Sequence, residues 1–100
     1  MIEAWSAGIF EGEGYIRKTG KYQVRVQMSD LDILQRLQDN WGGWLITRRP
    51  PANPKHKQMY EWGLTTKAGC RTFLSAVLPY LGIRRGHEAL NMLDRIELTV

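Results

Sequence analysis

Ala7-Gly8-Ile9-Phe10-Glu11-Gly12-Glu13-Gly14 is the segment from which the rest of the chain is best read. Ile2 to Phe10 reads as a short helix, and Ala4, Ala7 and Gly8 give it a small-residue face. The glycines of Glu11-Gly12-Glu13-Gly14 end that helix. Two carboxylates therefore fall at a helix C-terminus, where the partial negative charge of the backbone favours Lys or Arg by about 0.3–1 kcal/mol per charge. Local stability does not select such an arrangement, and broken local rules concentrate at functional sites. A carboxylate beside exposed backbone carbonyls is a hard-oxygen donor set suited to Mg²⁺, which commonly takes one or two carboxylates plus substrate phosphate oxygens. Two solvated glutamates in a loop is the competing reading of the same four residues.

Outward from this segment the hydrophobic pattern changes period. Tyr15 to Lys18 starts a strand, and Thr19-Gly20 is a hairpin turn. Tyr22 to Met28 alternates, with Tyr22, Val24, Val26 and Met28 on one face and Gln23, Arg25 and Gln27 on the other. Ser29-Asp30-Leu31-Asp32 has the form of a capping box and opens a helix on Ile33, Leu34, Leu37 and Trp41, which Gly42-Gly43 closes. Trp44 to Arg49 is a third strand, the prolines make residues 50–57 a loop, and Met59 to Thr65 is a fourth strand with Tyr60, Trp62 and Leu64 inward. Thr65 or Thr66 caps a helix that buries Cys70, Phe73, Leu74, Val77 and Leu78. After a turn over Pro79 to Gly82, a last helix runs from about Arg84 to Leu98 on Leu90, Leu93 and Ile96. The order αββαββαα predicts an α+β fold: a four-stranded antiparallel sheet with helices on one face.

The 100 residues make one domain, 1–100, with an apolar fraction of 43% that supplies a single core. No apolar run approaches the roughly 20 residues of a membrane span, and no secretory pattern opens the chain, so the expectation is a cytoplasmic protein, or an organellar or phage-encoded one, without a membrane partner. Cys70 is the only cysteine, which excludes an internal disulfide and a cysteine-based metal site and fits a small buried hydrophobe. The net charge of +4 is unevenly spread. Residues 15–29 and 44–63 hold eight basic residues against one acid, Glu61, a net of +7, while the remainder has six bases and nine acids, a net of −3. An open sheet face with Gln and Arg on alternate positions is a nucleic-acid surface in pattern, although a solvated strand face is also charged.

These residues resemble the LAGLIDADG homing endonuclease family, single-motif type. Residues 7–14 look like its signature, and the order αββαββα is its core. The likeness extends to Val26-Gln27-Met28-Ser29-Asp30-Leu31-Asp32-Ile33-Leu34, the Gly42-Gly43 pair, Tyr60-Glu61-Trp62 and Leu78-Pro79-Tyr80-Leu81-Gly82-Ile83-Arg84, so it spans nearly the whole chain.

The resemblance implies a homodimer that cuts double-stranded DNA at a long, nearly palindromic site in the presence of Mg²⁺, or another divalent cation such as Mn²⁺. The motif helices of two subunits would pack through Ala4, Ala7 and Gly8, with Glu11 at the same interface in a structural role. Glu13 would bind metal together with the Gly12 carbonyl. Ser6 stands where the motif has leucine, a departure that loosens packing without touching the acids. Arg84 matches the family's supporting basic residue, and Gln27 is the candidate for positioning water. Arg17, Thr19, Gln23, Arg25, Gln27, Arg48 and Glu61 would enter the major groove, where Arg suits guanine and Gln suits adenine. Lys21, Arg49, Lys55 and Lys57 add contacts to DNA, and a dimer would cover roughly 20 bp. A cleavage-deficient regulator or splicing cofactor on the same fold is the alternative. His56 and His87 have no metal-ligand partners at useful spacing and read as surface or phosphate-contact residues. Trp41, Trp44 and Trp62 read as core or sheet packing, and Trp5 as core or dimer interface.

Overall fold

The first turn of sheet follows directly on the first helix. The computed structural model describes residues 1–98. Helix α1 spans Ile2–Glu13, strand β1 Gly14–Ile16, β2 Val24–Met28, α2 Leu31–Trp41, β3 Trp44–Thr47, β4 Tyr60–Leu64, α3 Lys67–Val77 and α4 Ile83–Leu98, with a single 3₁₀ turn at Leu78–Tyr80. The strands form one antiparallel sheet in the order β1-β2-β4-β3. The α+β architecture expected from the hydrophobic pattern is the one observed.

Helix α1 does not stop at Phe10. It runs through Glu11, Gly12 and Glu13, and Gly14 leaves it in extended conformation (φ −80°, ψ 160°) with its N–H on the Phe10 carbonyl. Gly14 then pairs with Val26 as the first residue of β1. A Cβ at Gly14 would collide with the Phe10 ring and carbonyl, so a helix can pass into a strand here without a loop only if this residue is glycine. The expected glycine stop is thus a glycine junction, and both acids belong to the last helical turn.

Ile16, Val24, Val26, Trp62 and Leu64 line the inner face of the sheet, against which the helices pack Ala7, Phe10, Leu34, Leu37, Phe73, Leu74, Ala89 and Met92. The Phe73 ring is the hub of this core. Phe10, Trp41 and Trp62 each meet it edge to face with centroids 5.2 Å away. Truncating such a ring to alanine costs about 3–5 kcal/mol. Ser6 is fully buried, and its Oγ accepts the Trp41 indole N–H at 2.9 Å. The departure from leucine therefore satisfies a polar atom and ties α1 to α2.

Two details differ from the sequence reading and one agrees with it. Asp30 precedes α2 without a side-chain cap; the Ile33 and Leu34 N–H groups reach its carbonyl instead. Thr66 does cap α3, accepting the Gly69 N–H at 3.0 Å. The buried stripe of α4 is Arg85, Ala89, Met92 and Ile96, which leaves Leu90 exposed and Leu93 half-buried.

Candidate active site

The last turn of α1 sends its two acids to different surroundings. The Glu11 Oε1 accepts the backbone N–H of Gly82 at 2.6 Å, immediately ahead of α4. The partial positive charge of that helix start favours the carboxylate. Glu13 is exposed and makes no hydrogen bond or ion pair among the described residues. It sits against the final carbonyls of α1, which have no partners within the helix.

No group of three or more His, Cys, Asp or Glu side chains able to hold a metal occurs among the described residues. One chain thus offers a cation the Glu13 carboxylate and carbonyls of the last turn such as that of Gly12. That donor set is all oxygen and incomplete. It fits an ion that keeps water and takes further ligands from a phosphate, as Mg²⁺ does, and does not fit an ion needing a full protein cage.

Arg84 opens α4 with a side chain 73% exposed and a loose ion pair to Glu88 at 4.0 Å. Its neighbour Arg85 is buried, donates to the same Glu88 oxygen at 2.9 Å, and has an Nε without a partner. The Arg85 guanidinium lies 5.8 Å from the Phe10 ring centroid. Sequence reasoning passed over Arg85, although its spacing to Ala89, Met92 and Ile96 marks it as inward.

On the outer face of the sheet, strand register sets Tyr15, Arg25, Gly63 and Trp44 in one row across all four strands. The Arg25 guanidinium stacks on the Tyr15 ring at 4.2 Å. The Trp44 ring occupies the space over Gly63, so of the two readings, core or sheet packing, Trp44 takes the second, on the outer face. In the next row Gln27 is exposed beside Glu61. Glu61, expected to reach outward, is covered, with 6% of its side chain accessible and Arg48 paired to it at 3.6 Å. Arg17, Thr19 and Lys21 are exposed around the β1–β2 turn, while Gln23 is half-buried. Arg49, Lys55, His56 and Lys57 are exposed in the loop between β3 and β4. His87 is exposed on α4 and Trp5 half-buried on α1, stacked on Arg36 at 4.2 Å.

The small-residue face of α1 is also redrawn. Ala7 is fully buried in the core and unavailable to a partner. Ala4, Gly8 and Gly12 are half-buried or exposed, and a Cβ on either glycine would meet nothing within 4 Å. Cys70 is buried as expected; burial pushes its thiol up to about 11.

No protein-family model and no curated protein matches the sequence. The fold, however, is that of the LAGLIDADG homing endonucleases. Among solved structures, it resembles the homing endonuclease I-CvuI in complex with its target in the presence of calcium (TM-score 0.77, 22% identity), covering 96% of this chain and 66% of that one. It also resembles the homing endonuclease I-TnaI (TM-score 0.72, 14% identity), over 96% of this chain and 71% of that one. A third is the I-SmaMI LAGLIDADG homing endonuclease bound to cleaved DNA (TM-score 0.64, 16% identity), over 97% of this chain and 38% of that one. This chain thus spans just under two thirds of the I-CvuI chain. Among the described residues, no helix is long and apolar enough to cross a membrane.

Proposed function

We propose that this chain is one subunit of a homodimeric, divalent-metal-dependent endonuclease that cuts double-stranded DNA at a long, nearly palindromic site. The observation that carries the reading is the contrast between the two acids of α1. Glu11 is held by Gly82, whereas Glu13 stands exposed and uncompensated on a fold shared with homing endonucleases. A fold serving only to bind DNA has no use for an unneutralised carboxylate facing phosphates.

Dimerisation supplies what one chain lacks. Packing α1 of two subunits through Ala4, Gly8 and Gly12 would bring two Glu13 carboxylates to the symmetry axis. The coverage of only 38% of the I-SmaMI chain leaves room there for a second unit of this size, which supports a two-unit enzyme.

Each Glu13, with the Gly12 carbonyl and a phosphate oxygen, would hold a divalent cation. Such a cation, when bound, stabilises the attacking and leaving oxygens of phosphodiester hydrolysis. Arg84 donates to the phosphate as charge builds on it. Gln27 orients the attacking water through its amide. Arg25 reads a guanine edge, its fork held flat on Tyr15, and the exposed Lys55 and Lys57 contact backbone phosphates without regard to sequence.

The reading is tested by incubating the protein with a random duplex DNA library and Mg²⁺, with and without chelator, and sequencing the ends. Chelator-sensitive ends within one recurrent motif support it. Specific binding with no ends produced rejects the enzyme in favour of the regulator.

A further inference from the structure

Arg84, His87, Asn91 and Arg95 follow one another on α4 at intervals of three, four and four residues, which sets them along one side of the helix. All four line a cleft of about 470 Å³ that Arg17 and Lys18 close from the β1 side, over a floor of Ile16 and Met92. Strand β1 is the edge of the sheet, so the cleft opens beside the outer face and not on it.

The lining is made of donors. Arg17, Lys18, Arg84 and Arg95 face a single carboxylate, that of Glu88, and Arg85 already holds that carboxylate from behind at 2.9 Å. His87 and Asn91 add further N–H donors. Arg95 builds the wall: its guanidinium donates to the Gly20 carbonyl at 3.3 Å and the Arg17 carbonyl at 3.1 Å, fastening the β1–β2 turn to α4. The shape is that of a track. From Arg84 to Arg95 the helix rises about 16 Å, and one strand of a duplex presents a phosphate every ~3.4 Å of axis. Several consecutive phosphates fit this length.

We infer that this cleft is a sequence-independent binding site for the DNA backbone, in which Lys18, His87 and Asn91 take phosphates of one strand where it leaves the sheet. The inference rests on the DNA-cutting reading above and extends its footprint beyond the sheet. It places on DNA two residues, Lys18 and Asn91, that neither strand pattern nor motif assigned to it, and gives His87 a defined place beside them.

The test measures binding of a random-sequence duplex by fluorescence anisotropy over a salt series. Wild type is compared with Lys18→Gln, Asn91→Glu and, as a loop control, Lys55→Gln with Lys57→Gln. Thermal melts establish that each variant is folded, and Lys18→Gln, an exposed site, carries the test alone if Asn91→Glu is not. The expected result for Lys18→Gln is a salt dependence shallower by about 0.9 per lost phosphate contact. Asn91→Glu weakens binding to every sequence alike. Wild-type affinity and slope in both cleft variants, with weakened binding in the loop control, would overturn the cleft while leaving DNA binding intact. Saturation of the cleft by inorganic phosphate with no effect of either variant on duplex affinity would assign it to a free anion and overturn it equally. Absence of duplex binding by wild type would reject the DNA reading and the cleft with it.

Discussion

The Glu11 carboxylate and the Gly82 N–H, 71 positions apart in sequence, meet at 2.6 Å and join the end of α1 to the start of α4. This bond makes Glu11 a brace for the helix that carries Arg84. Glu11→Ala removes a charge-assisted bond at an exposed site, a loss of about 1 kcal/mol. In a chain of this size that lowers Tm by about 4–8 °C. Glu11→Gln keeps an acceptor and should lose less. Thermal unfolding monitored by circular dichroism checks both, and DNA cleavage at a temperature where the variants remain folded should fall only modestly.

Gly8 and Gly12 lie inside a helix, each about 1 kcal/mol less favourable there than alanine, and nothing in the protomer occupies the space a Cβ would take. The isolated protomer does not need them. Gly8→Leu should leave the protomer fold intact by circular dichroism while converting a dimer to a monomer in sedimentation velocity. A dimer that survives the substitution would move the interface away from α1.

The element order was legible because strands of period two and helices of period 3.6 leave different traces. What stayed hidden were distinctions of a single residue on a helix. Ala7 and Gly8 differ by about 100° of rotation, enough to put one in the core and the other on the surface. Arg84 and Arg85 differ in the same way: both reach Glu88, but Arg85 shares the buried stripe of Ala89, Met92 and Ile96 and lies near the Phe10 ring. Ser6 read as a defect because its partner, Trp41, is 35 positions away. Glu61 read as outward because its strand alternates, yet its place in a central strand lets Arg48 and its neighbours cover it. Of the two acids, the motif pointed to Glu13, and the structure supplies the reason Glu11 is different.

Tyr15 was missed as a partner of Arg25 because the two meet only through strand register. A guanidinium stacked on a ring is held in plane, worth about 0.5–1 kcal/mol at an exposed site. Tyr15→Phe should keep the DNA sequence preference. Tyr15→Ala should relax it at one position per half-site, in the manner of Arg25→Ala but more weakly. Selection from a randomised duplex pool checks this, and an unchanged preference in Arg25→Ala would remove Arg25 from base reading.

Burial raises the Cys70 thiol from 9.0 to about 11. Between those values the unfolded chain has released a proton that the folded chain still holds, so stability falls as pH rises. The contribution is fully present below about pH 9. Denaturant unfolding of wild type and Cys70→Ala from pH 8 to 11 should show the steeper decline in wild type, even though the variant starts lower because of its cavity. Parallel slopes would mean that the thiol ionises freely in the fold.

The role of Glu13 is the central claim, and one comparison tests it most directly: cut fraction and duplex affinity of wild type and Glu13→Gln, side by side in Mg²⁺. The substitution keeps the shape of an exposed side chain, removes its charge and weakens the carboxylate ligand that, unlike Glu11, has no partner among the described residues. Cleavage should fall by about 10²-fold or more, while affinity holds or rises because a negative charge facing phosphates has gone. Cleavage by Glu13→Gln at the wild-type rate would contradict the assignment.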